Sequence, residues 1–183
     1  MLRTQSHCSG SEAKSVLALL CVTVMPFAVM AENVITWDDV SAVIEASGLE
    51  GGFYAMEELG LAIWLPDGLN AVELSEEEIA EGYLYVLTDD EETCLITVDA
   101  VNMEGMTLDG VLEAAIAEGM FEPEIVNING LSAVSYKDEA NNAGCIVLVD
   151  TDCNVITFTL MPIEGEEAEL AFAVIMSSLM PLE

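Results

Sequence analysis

The chain has 183 residues, with 34 Asp and Glu against 3 Lys and Arg and 1 His, for a formal net charge of −31 at neutral pH. A chain so poor in cations cannot build the positive surface that phosphate backbones require, which excludes nucleic acid as a partner and disfavours anionic membranes. Hydrophobic residues still make up 53% of the sequence. That is enough apolar surface to offset the entropy of ordering, so the acidity describes a skin around an apolar core and not a disordered chain.

Residues 16–30 form an apolar run interrupted by Thr23 and Pro26 and preceded by Arg3 and Lys14. A basic segment, an apolar run and then Val29-Met30-Ala31 is the layout of a secretory signal, with cleavage expected before Glu32. The run is shorter than the ~20 residues of a spanning helix, so no lasting membrane insertion is expected. Cys21 does not make a lipoprotein site, because Leu20 stands where a small residue is wanted. The chain therefore divides into a signal peptide, 1–31, and a secreted domain, 32–183, of 183 − 31 = 152 residues, the usual size of one core.

Cleavage removes Arg3, Lys14, Glu12 and His7, leaving Lys137 against 34 − 1 = 33 acids, a charge of −32. Without histidine there is no Ser-His or Cys-His pair and no His-containing zinc site. No GxxxxGK[ST] or GxGxxG run is present to cradle a phosphate, and no cofactor is expected. Cys94, Cys145 and Cys153 are odd in number and lack CxxC spacing, which fits either one bridge plus a free thiol or three buried thiols.

Thr36 is placed to cap a helix through WDDVSAVIEA that ends at Gly48. FYAME and LAIWLP read as two strands, the second stopped at Pro66-Asp67-Gly68. Ser75 and Glu78 form a capping box that opens a short helix in SEEEIAEG. YLYVLT and TCLITVDAV flank the acidic tip 89–92 as a hairpin. Leu108, Val111, Leu112, Ala115 and Ile116 recur at helical spacing between Thr107 and Gly119. Asn129-Gly130 turns EIVNI into LSAVSY, and CIVLVD pairs with VITFTL, where Ile156, Phe158 and Leu160 alternate inward. EEAELAFAVIMSSLM closes the chain as a largely buried helix. Strands joined by short turns predict an α+β fold, a single antiparallel sheet packed against about three helices.

LGLAIWLP, VNINGLSAVSY and the terminal AFAVIMSSL helix, taken in that order, resemble the PsbP-like superfamily over the chain from about Glu32 onward. The resemblance implies a twisted antiparallel sheet between helices, as in small secreted acidic bacterial proteins of that kind. Members include an extrinsic photosystem subunit and a Ran-binding import factor. No motif here matches the functional residues of either, and none is carried over.

Candidate chemistry is sparse. Asp150, Asp152 and Asn154 are spaced like the first half of an EF-hand loop, but Val155 replaces its glycine and Met161 its glutamate, so a polar hairpin tip is the simpler reading. Asp89 and Asp90 are the other candidate metal ligands, within the acidic clusters 76–81, 89–92 and 164–169. Ser135 and Lys137 share one strand face, where a desolvated lysine would activate the serine; Asp138 and Glu139 beside it point to an exposed, ion-paired lysine instead. The sequence thus predicts a secreted, non-enzymatic acidic domain for protein interaction or an extracytoplasmic accessory task, with a basic protein or peptide and divalent cations as expected partners. A calcium-responsive surface domain and a hydrolase using carboxylates alone are the alternatives, and a saline habitat would favour the same acidic skin.

Overall fold

The structure, a computed structural model, describes residues 34–91 and 93–182, and the expected signal peptide lies outside them. In chain order the elements are β1 (Val34–Ile35), α1 (Trp37–Ser47), β2 (Gly51–Met56), a 3-10 turn (Glu57–Leu59), β3 (Leu61–Pro66), β4 (Asn70–Ala71) and α2 (Glu76–Glu81). Then follow β5 (Tyr83–Thr88), β6 (Leu95–Asn102), α3 (Leu108–Glu118), β7 (Phe121–Ile128), β8 (Leu131–Asp138), β9 (Ala143–Val149), β10 (Asn154–Met161), α4 (Glu166–Ser177) and β11 (Met180–Pro181).

Helix ends follow local chemistry. Asp39 accepts from the Thr36 hydroxyl at 2.5 Å and its N–H at 3.2 Å, and Glu78 closes the same box on Ser75. The Thr107 hydroxyl accepts from the Gly110 N–H at 3.2 Å, opening α3.

The strands form two sheets where the sequence predicted one. Eight lie in the order β1-β7-β8-β9-β10-β6-β5-β4, antiparallel except for β1 beside β7, and three in the order β11-β3-β2. The reason lies in β3, whose residues Leu61 to Leu65 are all buried. Buried on both faces, such a run needs a layer above and a layer below. Leu61, Ile63 and Leu65 face the large sheet and join Ile96, Ile146 and Phe158 in the main core, while Trp64 turns away to meet Val40 and Ile44 of α1 and Val174 of α4.

Helix placement also differs from three helices on one sheet. Helix α4 shares the core face of the large sheet with the small sheet, through Ile175 and Met176. It approaches β9 so closely that a side chain at Gly144 would collide with the Phe172 ring at 2.4 Å. Helix α1 packs on α4 and Trp64, and α2 buries none of its residues. Helix α3 covers the opposite face, with Val111 against Val134 and Val147. Ser178 is the single buried polar residue among those described: its hydroxyl accepts from the Trp64 N–H at 2.8 Å and donates to the Ile175 carbonyl at 2.6 Å. Asn129, at φ 50° in the β7–β8 turn, donates from Nδ2 to the carbonyls of Ser177 and Leu179, at 3.1 and 2.9 Å, which ties that turn to the end of α4. Among the described residues no helix is long and apolar enough to cross a membrane.

Candidate functional site

The two acidic hairpin tips turn their carboxylates onto their own backbones. Asp150 accepts from the N–H groups of Asp152 and Asn154, both at 2.8 Å, and from the Asn154 amide at 2.7 Å. The Asn154 amide holds the Asp150 carboxyl below its ordinary range. Asn102 donates to the Asn154 side-chain oxygen and to the Asp152 carbonyl, each at 2.9 Å, fastening the tip to the end of β6. Asp89 accepts from the Thr93 hydroxyl, from the Thr93 N–H at 2.6 Å and from the Cys94 N–H at 3.1 Å, and the Thr93 hydroxyl pulls its pKa down. Asp90 and Asp152 stand exposed beside these turns. Donors from the turns thus engage both oxygens of the Asp150 and Asp89 carboxylates. Among the described residues no group of three or more His, Cys, Asp or Glu side chains is placed to hold a metal ion.

Ser135 and Lys137 do share a face of β8, and the lysine is ion-paired across to α4: Nζ lies 3.1 Å from Glu169 Oε1. Both partners are substantially exposed, which makes this a surface contact of small energetic weight.

Among the described residues, a concentration of unused polar chemistry lies on the α3 side of the large sheet, where the helix packs chiefly over β7, β8 and β9. The ladder register aligns one row as Val134, Val147, Thr157, Asp99 and Tyr83, and the next as Tyr136, Cys145, Thr159, Thr97 and Val86. Valines lie under the helix; threonines and Asp99 lie where it stops. Between α3 and the sheet a cleft of about 160 Å³ opens among Met103, Met106, Val111, Tyr136, Val155 and Thr157. Asp99 is half-buried, its carboxyl makes no hydrogen bond or ion pair among the described residues, and loss of water raises its pKa. Sequence reading passed over Asp99; the alternation of Ile96, Val98 and Ala100 around it marks it as facing away from the core.

Nothing in this row is activated. All three cysteines of the described residues are free thiols, with Cys145 buried and the other two half-buried. Burial pushes the Cys145 thiol up, and the Tyr136 hydroxyl beside it as well, so both stay protonated at neutral pH. A neutral thiol 3.8 Å from the Thr159 hydroxyl is a packing group and not a nucleophile. The arrangement offers an apolar wall, hydroxyls and one carboxylate, which suits contact with another molecule better than bond-making.

The described residues thus define a mixed α/β protein with four helices and two sheets, of eight and three strands. Among solved structures it is similar to cyanobacterial PsbP (CyanoP) from Synechocystis sp. PCC 6803, with TM-score 0.48 and 16% identity over 73% of this chain and 93% of that one. It is also similar to a protein of Bacteroides thetaiotaomicron VPI-5482, with TM-score 0.46 and 11% identity over 74% of this chain and 50% of the other, so it spans half the length of that protein. No family model and no curated protein matches the chain. The PsbP-like likeness expected from the sequence is found among solved structures, and at these identities it concerns the fold alone.

Proposed function

We propose that this is a secreted, non-enzymatic interaction domain, residues 32–183 after loss of the leader, that recruits a basic protein or peptide through its acidic surface. The observation that carries the reading is the state of its charges. None of the described Asp or Glu residues is buried, and the one lysine among them is already taken by Glu169. A field of one sign with no internal counter-charge attracts cations, speeds their encounter and repels other copies of the same chain. Divalent cations respond to the same field as screening ions, because the best-placed carboxylates, Asp89 and Asp150, serve their own turns.

The test is calorimetric titration of the purified protein with a lysine-rich peptide and a glutamate-rich peptide of equal length, repeated in rising sodium chloride. Saturable binding of the lysine peptide alone, weakening steadily with salt, is expected; equal behaviour of the two peptides would overturn the reading. Melting in calcium, magnesium and ionic-strength-matched sodium chloride is a parallel control. Calcium and magnesium are expected to act alike, and a calcium excess would move the reading to a calcium-responsive domain. Mass spectrometry of the exported form is expected to place its first residue at Glu32.

A further inference from the structure

Two sheets have four edges, and three of them here are blunt. Strands β1, β4 and β11 are two residues long, and β11 ends on Pro181. The fourth edge, β2, runs for six residues and pairs with β3 on one side only. Its sequence GGFYAM contains no charged side chain, although the chain has 34 acids to place.

An edge of that length presents unpaired N–H and C=O groups that template another strand, and proteins normally guard it with charge, proline or a bulge. Strand β2 has none of these: its register with β3 is continuous from Gly51↔Pro66 to Met56↔Leu61. Gly51, Gly52, Phe53 and Ala55 are exposed, with Phe53 at 48%. The two glycines differ in their surroundings. A side chain at Gly51 would strike the Leu65 carbonyl at 2.2 Å, so close strand pairing demands glycine there. At Gly52 a side chain would meet nothing within 4 Å, so the face of the strand is open there. The edge is also held in place before any partner arrives. Behind it β3 is buried, and the Phe53 ring packs on Trp37 with centroids 4.7 Å apart while Tyr54 meets Tyr85 edge-on at 6.1 Å. A rigid acceptor loses little entropy on binding.

Charge selects the occupant. Glu50 precedes β2 and Glu57 and Glu58 follow it, all exposed. If two copies of the chain joined antiparallel along a centred β2, Glu50 of one would stand opposite Glu57 of the other, on two copies of the same strongly acidic chain. Like charges opposed in that way destabilise pairing. The same carboxylates favour a strand with cationic side chains.

We propose that β2 is the docking edge for an extended basic segment of a partner protein, which adds to the small sheet as a fourth strand with its lysines or arginines near Glu50, Glu57 and Glu58. The proposal rests on the basic-partner reading and gives that partner an address. Main-chain pairing supplies affinity, and the acidic ends of the strand supply selection.

The probe is a peptide alternating lysine and valine, with a glutamate–valine peptide as control, added to the purified protein while amide hydrogen exchange is followed residue by residue. The basic peptide is expected to slow exchange of amides within residues 51–56 by about tenfold or more. Ala55→Lys, at an exposed position, is expected to weaken that peptide by about tenfold through like charge on the edge, with melting temperature unchanged. Should Ala55→Lys lower the melting temperature, the double variant Glu57→Gln with Glu58→Gln, outside the strand, is expected to reduce affinity severalfold while protection stays within 51–56. Binding of the basic peptide with protection elsewhere would overturn the β2 address and leave the basic-partner reading standing. Binding of neither peptide would overturn that reading and the address together. Protection of 51–56 without peptide, together with a doubled mass in sedimentation, would mean that a second copy is the occupant and would overturn the proposal.

Discussion

On β10 the side chains of Ile156, Phe158 and Leu160 turn to one face of the large sheet, and those of Val155, Thr157 and Thr159 to the other. The first three are buried and the second three are half-buried, although the two sets alternate along one strand. Cover makes the difference. One face receives the small sheet and α4; the other receives α3, chiefly over β7 to β9. Composition tracks that cover strand by strand: valine at positions 134 and 147 beneath the helix, threonine and aspartate at 157 and 99 beyond it. Strand alternation therefore says which face a residue joins, and the reach of the covering element says whether that face is core or contact surface.

The largest effect should come from the covered face. Phe158→Ala removes a fully buried ring, and denaturant unfolding is expected to show a loss of about 3–5 kcal/mol. Val111→Ala, under α3 on the other face, is expected to cost about 1.5 kcal/mol in the same measurement. Equal losses from the two would mean that both faces are core, and the comparison would fail. Asp99→Asn, past the end of the helix, should act in the opposite direction. Burial raises the folded-state pKa of Asp99 above its ordinary 3.8, so the folded chain holds that proton more tightly than the unfolded one. Its ionisation opposes folding: no cost exists below the ordinary value, and the cost grows as pH rises from there to the raised value and is complete above it. The variant should therefore melt slightly higher than wild type at neutral pH, with the gain vanishing in acid. A gain that persisted below pH 3.8 would assign the effect to something other than ionisation.

Much of this architecture was legible because strong local signals agree with the fold. Thr107 and Gly119 bracket α3 as its pattern requires, and Asn129-Gly130 makes the turn between β7 and β8. The second sheet was not legible. LAIWL announces burial on both faces but not whether the upper layer is helix or strand, and β1, β4 and β11 are two residues each, too short for any period to show. At the β9–β10 tip the Asp150 carboxylate accepts from the backbone of its own turn, a role its spacing alone does not show. Asp99 looked like one acid among many. Its setting depends on where α3 ends in space, and no spacing in the sequence records that distance.

Helix α4 has a further consequence, one of timing. Phe172, Ile175, Met176 and Ser178 follow every strand of the large sheet in sequence, yet they pack against Gly144, complete the main core and satisfy the Trp64 N–H. A ribosome delivers them after all eight strands of the large sheet. Until it does, the strands of the large sheet lack the helix that shares their apolar face, and the turn at Asn129 lacks its two carbonyl partners. A sheet whose covering helix is encoded after all its strands completes its apolar core only when that helix docks.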